Sequence, residues 1–253
     1  MIEAHGRTDV GRRRKINEDS FLVSPEAGLY AVCDGMGGHN AGEVASRMAI
    51  ETLASFVEKS AVEHEITWPW GIDANLSFDA NRLKTGIKLA NARVFQAADN
   101  REELTGMGTT VVATIVNGDL LTIGSAGDSR CYVVRGGELR QITRDDSWVS
   151  AALGEGILNS DDIEHHPLRN VITKAVGARD SIELDVLEHR LEPGDVVLLC
   201  SDGLHGMLND ASISRVLLPV PDSLEDATAR LIDAANEAGG KDNVTVVLLR
   251  YTT

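Results

Sequence analysis

The sequence predicts an α+β fold of four layers, an αββα sandwich in which two antiparallel β-sheets pack face to face with helix pairs outside. Three observations lead there. Two hairpins follow one another: Thr109–Val116, a turn at Asn117-Gly118, and Asp119–Gly124, then Cys131–Val134 and Leu139–Ile142 around Gly136-Gly137. Consecutive hairpins demand antiparallel pairing and exclude a doubly wound parallel sheet, and Asn-Gly between β-branched runs is the signature of a type I′ turn. Strand-like and helix-like segments also fall into blocks instead of alternating. Finally, two long stretches repeat their apolar residues at helical spacing.

Taken in order, an N-terminal strand candidate is followed by Ser20–Val23 and Gly28–Cys33, two strands joined through Pro25 and Gly28. Asn40 is an N-cap residue with Glu43 three places on, opening a helix that runs through Val44, Met48, Leu53 and Val57. Residues 61–81, with Trp68-Pro69-Trp70, hold no sustained period and read as a surface excursion. Leu83, Ile87, Ala90, Val94 and Ala97 mark the second long helix. After the hairpins, residues 145–176 are short, charged and broken near Pro167 and Gly177, as a flap beside a site would be. Strands resume at Ile182–Leu187 and Asp195–Cys200. Ser223 starts a helix with Leu224, Ala227, Leu231 and Ala235 on its apolar face, and Asn243–Leu249 closes the pattern as a strand. No linker-like stretch divides the 253 residues, so one domain spanning 1–253 with a flap at about 145–176 is expected.

The totals exclude several functions. A net charge of −15 leaves no basic stripe to neutralise nucleic acid or an anionic membrane, and Arg12-Arg13-Arg14-Lys15 is the one basic cluster. No stretch reaches membrane-spanning length, and Met1-Ile2-Glu3-Ala4-His5 lacks signal-peptide character, so the cytoplasm is the expectation. Cys33, Cys131 and Cys200 each lie in an apolar run, without CxxC spacing, and read as buried reduced thiols.

Chemistry concentrates in the acids. Asp34 (Val-Cys-Asp-Gly), Asp128 (Ala-Gly-Asp-Ser), Asp202 (Cys-Ser-Asp-Gly) and Asp242 (Gly-Lys-Asp-Asn) each stand beside an apolar run, next to glycine or a small polar residue. A single Asp-Gly is most often a turn. Four of them, with Arg14 and His39 in support, point to carboxylates that converge at strand ends. Such a group repels itself unless cations lie between its members. Hard oxygen-seeking ions, Mg²⁺ or Mn²⁺, fit, and the lack of a Cys/His cluster speaks against structural zinc.

In sequence order, Thr8–Asp19 (Thr-Asp-Val-Gly-Arg-Arg-Arg-Lys-Ile-Asn-Glu-Asp), Asp34-Gly35-Met36-Gly37-Gly38-His39, Gly108-Thr109-Thr110, Ala126–Arg130, Ser201-Asp202-Gly203 and Lys241-Asp242-Asn243 resemble the motifs of the metal-dependent protein phosphatases of the 2C type, in particular the compact bacterial members. The resemblance covers nearly the whole chain. It implies a Ser/Thr phosphatase with two Mg²⁺ or Mn²⁺ ions, Asp34 bridging them, the Gly35 carbonyl on one, Asp202 and Asp242 on the other, and attack by a metal-bridging hydroxide without a covalent enzyme intermediate. Arg14 would grip the phosphoryl oxygens in a bidentate fork and His39 would protonate the leaving oxygen. Glu18 and Asp19 would order water around the ions, Asn243 would support Asp242, and Asp128 with Asp202 could hold a third, weaker ion. Phosphorylated proteins are the implied substrates and a Ser/Thr kinase the implied opponent.

The chain departs from the family pattern at Asp146, where histidine is frequent, and at His205; both concern the periphery and substrate preference. His165 and His166 in the flap read as positioning residues. Two rivals remain: a pseudophosphatase or phosphoprotein-binding regulatory module, which would need a broken metal set, and a two-metal nuclease, which the net charge disfavours.

Overall fold

The computed structural model describes residues 1–38, 41–63, 66–158, 166–168 and 171–252. Two antiparallel sheets form its centre. Strands β1 (Ile2–Asp9), β7 (Arg130–Arg135), β8 (Glu138–Gln141), β10 (Val196–Cys200) and β11 (Val244–Tyr251) make one, in the order β1-β11-β10-β7-β8. Strands β2 (Asp19–Ser24), β3 (Leu29–Met36), β5 (Val111–Asn117), β6 (Leu120–Ala126) and β9 (Asp185–Arg190) make the other, in the order β2-β3-β5-β6-β9, and β4 (Gly108–Thr109) pairs with the end of β3.

Side-chain alternation explains the layers. Along β3, Leu29, Ala31 and Cys33 face the helices α1 (Ala41–Val62) and α2 (Phe78–Asn100), whereas Tyr30 and Val32 face the opposite sheet. Along β10, Val196, Leu198 and Cys200 face a second helical layer, α5 (Asp210–Leu217) and α6 (Leu224–Glu237), while Val197 and Leu199 meet Tyr30 and Val32 between the sheets. A strand buried on both faces must be apolar at every position, which is why these runs show no polar alternation. The αββα expectation holds. All three cysteines are buried and free. Among the described residues no helix is long and apolar enough to cross a membrane.

Two boundaries move. Asn117 pairs with Leu120, so the first hairpin turns at Gly118-Asp119 and not at Asn117-Gly118. The second turns at Gly136-Gly137 as expected, both glycines at positive φ (60° and 85°), a conformation other residues adopt only with strain. The strand expected from Ile182 begins at Asp185, because Ile182 and Leu184 pack sideways against the helix-covered core instead of joining the ladder to β6. Trp68 also packs more than expected, edge-on to Phe56 with ring centroids 5.3 Å apart. The N-cap expectation at Asn40 lies outside the described residues.

Candidate metal centre

The space between the sheets is apolar along most of its length and acidic at one end. The same alternation that sends Tyr30 and Val32 inward brings Asp34 to that face two residues on, and β2 continues it from Val23 and Phe21 to Asp19. Asp19 and Asp34 are direct partners in the β2–β3 ladder, so their carboxylates share one face. On the opposite sheet Val197 and Leu199 lead to Ser201, and Leu249 and Val247 lead back to Thr245. Both hydroxyls donate to Asp19 Oδ2, Ser201 Oγ at 2.8 Å and Thr245 Oγ1 at 2.6 Å, tying the sheets together at the acidic end.

Asp34 is anchored through its backbone. Its N–H donates to Thr110 Oγ1 at 3.0 Å, and its carbonyl accepts from Thr110 N–H and Thr109 Oγ1, each at 2.8 Å, so the carboxylate is left free. Gly35 must be glycine, because a Cβ there would run into the Gly42 carbonyl of α1 and lie 2.6 Å from the Glu18 carbonyl. The Gly35 N–H donates to that Glu18 carbonyl at 3.1 Å. Asp202 opens the short helix α4 (Asp202–His205), directly after β10. Asp242 precedes β11; its Oδ1 accepts from Asn243 N–H at 2.9 Å and its Oδ2 takes Arg14 Nη2 at 2.7 Å. Asn243 spends its whole amide on the protein: Oδ1 accepts from Glu18 N–H and Nδ2 donates to the Val10 and Ile16 carbonyls.

The electrostatics are those of confined anions. Burial, then the charges of Asp202 and Asp242, push Asp19 up to about 7, and burial with Asp202 and Asp145 pushes Asp128 up to about 7. Burial and the neighbouring aspartates 19, 202, 128 and 242 hold Asp34 well above the usual carboxylate range, and Asp202 is raised by burial and Asp242. Asp19 Oδ1 and Asp202 Oδ1 are buried with no hydrogen-bond partner. Unpaired buried carboxylate oxygens are costly, and a divalent cation is the partner that would satisfy several at once. Among the described residues no group of three or more His, Cys, Asp or Glu side chains could hold a metal ion by itself. A site of one or two carboxylates with a main-chain carbonyl and water suits Mg²⁺ or Mn²⁺, which keep several waters. The residues present therefore fit such ions.

A model described as protein phosphatase 2C matches residues 10–245. The chain belongs to the protein phosphatase 2C family. This 2C-type chain is 35% identical over 255 aligned residues to the serine/threonine phosphatase stp of Listeria innocua, with 98% of this chain and 95% of that protein covered. Its fold is similar to the crystal structure of the Mycobacterium tuberculosis serine/threonine phosphatase PstP/Ppp, with a TM-score of 0.87 at 34% identity over 100% of this chain and 99% of that one. It is similar also to the catalytic domain of PstP in complex with 2 manganese ions, with a TM-score of 0.84 at 33% identity, covering 100% and 99%. Metal dependence thus belongs to the family.

In this 2C-type phosphatase the structure brings Asp34, Asp128, Asp202, Asp242, Asp19, Glu18, Gly35, Arg14 and Asn243 to one end of the sandwich; His39 and His165 lie outside the described residues. Asp146 and His205 sit against the Asp128 turn. The His205 ring is pushed down to about 4 by burial and Arg130, so it is neutral, and its Nε2 donates to the Asp128 carbonyl at 3.0 Å. His166 stacks on Trp148, the first residue of helix α3 (Trp148–Gly154), ring centroids 4.9 Å apart. Four residues gained no role from the sequence: Ser201 and Thr245, which hold Asp19, Thr110, which holds Asp34, and Lys174, which pairs with Asp146 at 2.7 Å. Thr110, Ser201 and Thr245 each stand one alternation beyond an inward-facing apolar residue, Val112, Leu199 and Val247, and the first two lie within quoted motifs; Lys174 carried no such signal.

Proposed function

We propose that this 2C-type phosphatase hydrolyses phosphoserine and phosphothreonine esters of proteins at the acidic end of its two sheets, with two divalent ions, Mg²⁺ or Mn²⁺. The observation that carries the reading is the set of mutually raised carboxylates with orphaned buried oxygens on Asp19 and Asp202. Asp34 would serve both ions, with the Gly35 carbonyl on one and Asp202 and Asp242 on the other; Asp128 and Asp202 would hold a third, weaker ion. When bound, the ions supply charge neutralisation for an anionic substrate and a water made nucleophilic near neutral pH.

The protein's own groups do the rest. Arg14, at present on Asp242 and half exposed, turns its planar fork to the phosphoryl oxygens, a geometry lysine cannot offer. His39 gives its proton to the departing seryl or threonyl oxygen. Glu18 and Asp19 would order water by accepting hydrogen bonds from it. Asn243 fixes the Glu18 backbone relative to Asp242. The catalytic unit is the single domain 1–253 with the 145–176 segment as its flap. It works in the cytoplasm on phosphorylated proteins, opposing a Ser/Thr kinase.

Manganese-dependent hydrolysis of p-nitrophenyl phosphate and of a phosphothreonine peptide tests this. Asp34→Ala and Asp202→Ala should each lose on the order of a hundredfold or more of turnover. Wild-type rates in both variants overturn the assignment of these ligands. A wild-type protein that binds phosphopeptide but turns over neither substrate is a binding module instead.

A further inference from the structure

The one basic cluster of this acidic chain stands beside the acidic end of its two sheets, where Arg14 pairs with Asp242. Arg12, Arg13, Arg14 and Lys15 are all exposed, and so is Lys241, which neighbours Asp242. Arg14 is paired with Asp242; among the described residues Arg12, Arg13, Lys15 and Lys241 have no ion-pair partner. Unpaired cations occur elsewhere on the surface; what sets these four apart is that they stand together, in two adjoining loops on either side of the Arg14–Asp242 pair.

The loop that carries them is fastened. Arg12 N–H donates to the Gly240 carbonyl at 2.7 Å, and Asn243 Nδ2 binds the carbonyls of Val10 and Ile16, on either side of the cluster, at 3.0 and 2.9 Å. The charges are thus presented from a fixed backbone. Residues one or two positions from Arg14 lie within about 8 Å of it, since consecutive Cα atoms are ~3.8 Å apart, and this is about one Debye length at physiological ionic strength. Their field acts on what lies beside the phosphoryl group, and more distant charges are screened.

We infer that Arg12, Arg13, Lys15 and Lys241 form a recognition rim for anionic side chains flanking the phosphorylated residue, so that the preferred substrate segment is acidic or carries a second phosphate nearby. The inference rests on the phosphatase reading above and extends it to substrate class. The rim also offsets the repulsion that a −15 protein exerts on an anionic segment approaching it.

The test compares kcat/KM for three phosphothreonine peptides of equal length, with neutral flanks, with flanking Asp/Glu, and with a flanking phosphoserine, in saturating Mn²⁺. The wild type should favour the two anionic-flank peptides over the neutral one by roughly three- to tenfold at low salt, with the advantage lost near 0.5 M NaCl. Arg13→Glu combined with Lys15→Glu should abolish or invert the ratio, and Arg13→Lys should keep it. The readout is a ratio within each variant, so a general change in turnover does not enter it. Hydrolysis of all three peptides at equal kcat/KM overturns the rim, as does a preference that the charge reversal leaves intact. If only the flanking-phosphate peptide is favoured, acidic side chains are excluded and doubly phosphorylated segments remain. Absence of hydrolysis with every peptide counts against the phosphatase reading itself.

Discussion

Asn243 Oδ1 accepts the backbone N–H of Glu18 at 2.8 Å, across 225 residues of sequence, while its Nδ2 binds the carbonyls of Val10 and Ile16. One buried amide thus fixes the loop that carries Arg14 against the turn that carries Asp242. Asn243→Ala should cost about 2–3 kcal/mol, since it strands the Glu18 N–H and frees the loop, and lower Tm by roughly 5–10 °C. Asn243→Asp, which accepts but cannot donate, should lose much of the same stability. Thermal melts of both variants check this; an unchanged Tm in each would contradict the clamp.

Divalent ions and protons compete for the acidic end. Asp19 and Asp128 are raised to about 7, and Asp34 and Asp202 stand above the ordinary carboxylate range. In the metal-free protein the folded state therefore holds protons that the unfolded chain has already released. Stability is greatest below the ordinary aspartate value of about 3.9 as far as these groups are concerned, and falls as pH rises from there through about 7. Added Mn²⁺ should raise Tm more at pH 8 than at pH 5.5, where protons occupy the same oxygens. Melts with EDTA or Mn²⁺ across that range measure it, and a larger metal-induced shift at the lower pH would reverse the sign.

Asp146 couples Lys174 to the Asp128 turn. Its N–H donates to the Gly127 carbonyl at 2.8 Å, its Oδ2 accepts from Gly127 N–H at 3.2 Å, and its Oδ1 pairs with Lys174 at 2.7 Å. Lys174→Met should loosen this clasp, raising KM for a phosphopeptide about three- to tenfold with kcat changed much less, because Lys174 supports the Asp128 turn through Asp146 and supplies no reacting group. Lys174→Arg should restore KM. Proteolysis between residues 145 and 176 should speed up in the methionine variant alone.

Arg82 serves stability without touching the pocket. Its Nη1 pairs with Asp79 at 2.7 Å, Nη2 holds the Val57 carbonyl at 2.6 Å and Nε holds Ser60 Oγ at 3.1 Å, with both charged side chains 8% exposed. Asn117 Nδ2 donates to the other Asp79 oxygen at 3.0 Å, joining the first hairpin to the helix pair. Arg82→Met leaves a buried carboxylate without its cation and should cost about 3–5 kcal/mol. Denaturant titration reads that loss, and kcat per folded molecule should not move.

Much of this was legible from local pattern. Runs such as Val196–Cys200 and Val244–Leu249 announce buried strands because every side chain in them is apolar, and Asp34, Asp128, Asp202 and Asp242 announce a site by where those runs stop. The turn at Gly118-Asp119 departs from that local pattern: Asn117 has a second task, its amide on Asp79, and the ladder extends by one pair to include it. The start of β9 at Asp185 is a similar case, since Ile182 and Leu184 find a better burial on the helix side than in the sheet.

By itself the sequence determined the period-two and helical repeats, the four-layer class and the identity of the acids, because each depends on residues close together in the chain. Only the tertiary structure decided which strand ends meet. Ser201 and Thr245 reach Asp19 from 182 and 226 residues away, and Lys174 pairs with Asp146 at 2.7 Å. Such partners are chosen by sheet order and by the accounting of buried polar atoms, and neither leaves a mark on the local pattern from which a sequence is read.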